Sequence, residues 1–134
     1  MEIEFLILAD YVEALNSKLY MMGGAWNQVT ATSFPVNHRM GIAIGVLFDE
    51  GQAPAHFPLR LAILDVMAER PVIPEMTINI AVQLAEPGAR PRALVGLNAQ
   101  FSLPGAGHYR VVATAAPNVR RETYFDARLV SPLQ

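Results

Sequence analysis

Residues 76–85 read MTINIAVQLA, with Met76, Ile78, Ile80, Val82 and Leu84 alternating against Thr77, Asn79, Ala81 and Gln83. Successive side chains of an extended chain point to opposite faces, so a period of two places every apolar group on one side. Wound at 3.6 residues per turn, the same residues would scatter round a helix. The stretch is a half-buried strand, and its pattern recurs along the chain. Ile42, Ile44, Val46 and Phe48 oppose Gly41, Ala43 and Gly45, a small-residue face that suits close approach by another layer such as a second sheet. Phe57, Leu59, Leu61 and Ile63 oppose Arg60 and Ala62, while Val95, Leu97 and Phe101 oppose Asn98 and Gln100. Tyr109, Val111 and Ala113 oppose His108, Arg110 and Thr114, and Phe125, Ala127 and Leu129 oppose Tyr124, Asp126 and Arg128.

At the N-terminus Ile3, Phe5 and Ile7 align opposite Glu2 and Glu4, and a second strand is expected from Tyr20 to Thr30. Between them DYVEALNSK fits either a strand end with a tight turn at Asn16-Ser17 or a single helical turn. Gly/Pro punctuation falls at 49–54, 69–75, 86–91, 103–107 and 116–118, and no segment offers an amphipathic helix. Short strands at this spacing predict an all-β fold, an antiparallel sandwich or barrel. LPGAGHYRVVATA helps decide between them. A Leu-Pro step, glycines and then Tyr109 opening a strand resemble the tyrosine corner of immunoglobulin-like and fibronectin-type domains. In that corner the hydroxyl bonds to the backbone just upstream and pins a crossing between sheets. The expected fold is an immunoglobulin-like antiparallel β-sandwich, with a C2-like sandwich or a small barrel as alternatives.

A chain of 134 residues can bury one adequate core, so a single domain is expected over residues 1–134. Charged residues make up only 16%, below the roughly 25% of an average soluble domain. Either the sheets are buried on both faces in places, or an apolar patch is covered by another subunit. The net charge of −2 provides no footprint for nucleic acid or an anionic membrane. The absence of cysteine excludes disulfides, thiolate metal sites and a cysteine nucleophile. Glu2 and Glu4 stand where a secretory signal would be basic, and Phe5 to Ala9 is too short for a signal core or a membrane span. A soluble cytoplasmic protein is expected.

Gly23-Gly24, just before the only tryptophan, Trp26, is the stretch most like a site. A phosphate cradle needs a following helix, whereas WNQVTAT reads as strand, so a bulge or sharp bend is the favoured reading. Trp26 then becomes a core or inter-sheet anchor. His38, His56 and His108 stand singly at strand starts or in loops, without metal-ligand spacing. Asp10 follows an apolar strand directly, and the reading favoured there is a turn-capping structural role. No serine lies in a nucleophile elbow. No catalytic residue, metal site or cofactor is assigned.

Ala9, Asp10, Tyr11, then Lys18, Leu19, Tyr20, then Gly23, Gly24 and Trp26 form a pattern of Asp-Tyr, Lys-Leu-Tyr and Gly-Gly-x-Trp steps. The pattern resembles the opening of an uncharacterised bacterial family of unknown function. Ser17 stands where the resemblance leads one to expect glycine. The resemblance implies a small cytoplasmic domain and supplies no mechanism.

The leading expectation is a non-catalytic module that associates with itself, as a homodimer, or with an unidentified protein. The second is a small-ligand or carbohydrate site with Trp26, Tyr20 and Tyr11 as an aromatic wall and Gly23 and Gly24 beside it. A hydrolase ranks third.

Overall fold

The alternating segments become strands in the computed structural model, which describes residues 1–83 and 86–131. In chain order they are β1 (Glu2–Leu15), β2 (Lys18–Gly24), β3 (Gln28–Ala31), β4 (Val36–Leu47) and β5 (His56–Asp65). Then follow β6 (Arg70–Pro71), β7 (Met76–Ala81), β8 (Arg92–Leu103), β9 (Gly107–Ala116) and β10 (Val119–Leu129). One sheet runs β2-β1-β4-β8, and the other runs β3-β10-β9-β5-β6 with β7 also paired to β5. Neither sheet closes on itself, so the protein is a β-sandwich and not a barrel. Pairing is antiparallel except where β3 lies parallel to β10. Leu84, the last apolar residue of the 76–85 alternation, lies outside the described residues.

Faces follow the parity read from the sequence. Ile42, Ile44, Val46 and Phe48 from one sheet meet Leu59, Leu61, Ile63, Val111 and Phe125 from the other in one apolar cluster. Tyr109 is buried in that cluster, and its hydroxyl donates to the Gly105 carbonyl at 2.6 Å. This is the backbone bond expected of a tyrosine corner. Leu129 departs from the pattern at 63% exposure. The β9–β10 ladder ends at Ala127, and Leu129 lies beyond it, paired with Ala31 of β3.

The small-residue face of β4 is covered, but not by the second sheet. It looks outward, and β1 folds back across it. The Phe5 ring occupies the space over Gly45. Past the last β1–β4 pair, Ala9 with Gly41, β1 leaves the ladder and crosses β4 and β8. A Cβ on Gly41 would stand 3.0 Å from the Val12 nitrogen, and one on Gly96 3.0 Å from the Ala14 nitrogen. Asn98 clamps the crossing: Val12 N–H donates to its Oδ1 at 3.1 Å, and its Nδ2 donates to the Val12 carbonyl at 2.8 Å.

DYVEALNSK is strand to its end, with no helical turn. Asn16 and Ser17 form the two-residue connection to β2, both with positive φ (53° and 60°). Positive φ at both central positions is the demand of a type I′ hairpin turn, which explains why glycine is the natural expectation at position 17. The single strand expected from Tyr20 to Thr30 is two. β2 ends at Gly24 in one sheet and β3 begins at Gln28 in the other, so the chain changes layers between them.

Candidate functional site

That change of layers builds a feature that gathers several of the singled-out residues. Gly23 has φ +58° and Ala25 φ +66°, and these left-handed residues turn the chain out of the first sheet. The Ala25 amide still holds the Leu8 carbonyl at 2.7 Å, while the Asp126 amide takes the Asn27 carbonyl at 2.9 Å. The link is therefore tied to a different sheet at each end. Between those ties Trp26 drops edge-on against His38 of β4 (ring centroids 5.6 Å apart) and Phe125 of β10 (5.9 Å). It is an inter-sheet anchor.

Gly23 also makes room. A Cβ at this position would collide with the Asp10 carboxylate, which leans from β1 over the turn. Asp10, Gly23, Gly24, Trp26, Gln28, Val29, Thr30 and His38 line a shallow, open depression of about 530 Å³. Its walls come from β1, the end of β2 and the link after it, β3 and β4.

The site is polar at its edge and dry beneath. Burial holds the His38 imidazole below its ordinary value of 6.5, against a weaker opposing pull from the Asp10 charge. Its ring also packs edge-on against Phe101 at 5.8 Å. Trp26 Nε1 and His38 Nε2 are out of solvent without a hydrogen-bond partner. Among the described residues no basic group forms an ion pair with Asp10. Among them, too, no three His, Cys, Asp or Glu side chains group as metal ligands.

The site residues named from sequence separate into two groups. Gly23, Gly24 and Trp26 share the depression, and Asp10 joins them as a wall instead of a turn cap. Tyr11 and Tyr20 do not line it. They stand on the outward face of the β1–β2 hairpin, where Tyr11 pairs with Met22 and Tyr20 with Glu13. The aromatic wall of three rings is therefore not assembled. His38 is the third residue of β4, at a strand start as expected, and it is half-buried. Its signal was available: it shares parity with Met40, Ile42 and Ile44, the inward set. Gln28 and Thr30 carried no local signal. His108 meets Asp126 at 2.5 Å on the surface, with both side chains more than half exposed.

A model of a family of unknown function, DUF6941, matches residues 4–123, which include the β1–β2 hairpin, the Gly-Gly-x-Trp link and the tyrosine corner. No curated protein and no solved structure matches the chain. Among the described residues no helix is long and apolar enough to cross a membrane. The chain belongs to the DUF6941 family.

Proposed function

We propose that this protein is a cytoplasmic, immunoglobulin-like module that works by association, pairing with a second copy of itself through the β1–β2 hairpin. The observation that carries this reading is the outward face of that hairpin. Tyr11, Leu15, Tyr20 and Met22 project from it at 45%, 50%, 52% and 70% exposure, broken only by Glu13 and Lys18. β2 is also an outer strand of its sheet, and a free edge offers unpaired amides and carbonyls to another strand. Natural edges are commonly blunted by charge, proline or bulges, and β2 has one lysine at its start. A low charged fraction fits the same reading.

The immunoglobulin-like part of the proposal is supported by strand order. β1-β4-β8 faces β10-β9-β5-β7, as strands A-B-E face G-F-C-C′ in that architecture, and the tyrosine corner opens β9, the F equivalent.

Sedimentation equilibrium tests the association. A dimer is expected for the native chain, and a monomer after Tyr20→Lys combined with Met22→Lys, both substitutions at exposed positions that leave the core untouched. A native chain that remains monomeric at the highest attainable concentration overturns the proposal.

A further inference from the structure

We propose that the corner formed by Asp10, Trp26 and His38 is an acid-operated switch. On protonation the His38 ring leaves the aromatic cluster, pairs with the Asp10 carboxylate and frees Trp26 from its place between the sheets. The device is independent of the hairpin's association, since Tyr11, Leu15, Tyr20 and Met22 do not line this corner.

Folding alone accounts poorly for a histidine here. Its ring packs among Trp26, Phe101 and Phe125, with centroids 5.6, 5.8 and 6.3 Å away. His38 Nε2 is closed to solvent without a hydrogen-bond partner, and the same holds for Trp26 Nε1. Phenylalanine at position 38 would fill the cluster and leave no ring nitrogen unmet. What histidine adds is a charge that switches on near neutral pH. When it does, both ring nitrogens become donors, and the sealed one has nothing to donate to.

The surrounding groups leave the imidazolium one place to go. From β1, Asp10 is the charge that acts on it. β8 presents Phe101, β10 presents Phe125, and the link presents Trp26. β3 contributes Gln28, Val29 and Thr30 to the corner, none of them charged. Tyr109, stacked on Phe125 at 5.2 Å, stays neutral because burial holds its hydroxyl above the ordinary 10.0. Arg39 on β4, and Asp126 and Arg128 on β10, alternate to the exposed faces, and Asp126 is already bonded to His108. Asp10 has no basic partner among the described residues, and Gly23, lacking a Cβ, keeps the space at its carboxylate clear. The depression that Asp10 and His38 both line, about 530 Å³, has room for the displaced ring.

A proton shifts an equilibrium only by its differential affinity for the two arrangements. In the cluster, burial disfavours the imidazolium; beside Asp10, a counter-charge favours it. Proton uptake therefore drives the ring outward. Trp26 then loses one of the two rings that hold it, and its indole opens to water.

Trp26 is the chain's only tryptophan, so its emission follows this corner alone. Between about pH 7.5 and 5 the emission is expected to move to longer wavelength in one step, with its midpoint below 6.5. The strand signal in circular dichroism should hold constant over the same range. His38→Phe should abolish the step. Asp10→Asn should keep it but lower its midpoint by about half a unit, because the displaced ring loses its counter-charge. That substitution lies on the exposed rim and spares the aromatic cluster, so it tests the pairing even where His38→Phe folds poorly. Constant emission from the native chain overturns the proposal. So does a step that survives in His38→Phe, one that coincides with loss of the strand signal, or a midpoint that Asp10→Asn fails to lower.

Discussion

Ser17 occupies a backbone position, φ 60°, that favours residues without a Cβ. Its hydroxyl donates to Gln83 Oε1 at 2.8 Å, an exposed bond worth little in water. Left-handed backbone costs a residue with a Cβ roughly 1–2 kcal/mol, so Ser17→Gly should stabilise the protein by about 1 kcal/mol. Chemical denaturation measures it, and a loss of stability would show that the Gln83 bond outweighs the strain. His38 bears on pH. Its folded pKa lies below the 6.5 of the unfolded chain because burial disfavours the imidazolium. Between those two values the unfolded chain takes up a proton that the folded chain refuses. Stability is therefore full above about pH 6.5 and falls as pH drops through that window. Glu122 is shifted down from 4.5, chiefly by the Tyr124 hydroxyl donating to it at 2.9 Å, so its contribution is lost only below 4.5. Denaturation midpoints taken from pH 7.5 to 5 should slope for the native chain and flatten for His38→Phe. An unchanged slope would assign the effect to another group.

At the scale of elements, the β1–β2 hairpin is the part that could have folded otherwise. It lies over β4 and β8 because glycines at 41 and 96 let backbone approach backbone, and because Asn98 bonds Val12 on both sides. Asn98→Ala should remove about 2 kcal/mol and speed amide exchange at Val12 and along β2, while Ile44 and Val111 in the core remain protected. Uniform exchange across all strands would mean the hairpin opens only with the whole sandwich. The same element explains what parity reading could and could not reach. Alternation in GIAIGVLF marked a face of small residues, and such a face does signal close approach. It says nothing of which segment approaches, since β1 and a second sheet satisfy it equally.

Across the whole molecule, 52% apolar composition and 16% charge leave more apolar surface than one core consumes, and part of the remainder gathers on the hairpin, with the rest spread over Val66, Met67, Tyr124, Leu129 and Val130. If copies pair on the hairpin, binding to the folded form raises apparent stability by mass action, so the melting temperature should climb with protein concentration. The double substitution Tyr20→Lys with Met22→Lys should make it constant. A constant melting temperature in the native chain would count against the dimer on grounds independent of sedimentation.

Local pattern alone determined that the chain is all-β, which residues face inward on β4, β5, β7, β8 and β9, and that Tyr109 turns a corner. Each of these depends on side chains a few residues apart, where a period of two or a Pro-Gly step acts directly on the backbone. Only the tertiary structure decided that Asp10, Trp26 and His38 meet, and that Tyr11 and Tyr20 stand apart from them. Those three lie on segments that touch because the chain changes sheets between Gly24 and Gln28, and that crossing is set by long-range ladders with Leu8 and Asp126. Nothing within a window of ten residues encodes a contact of that range.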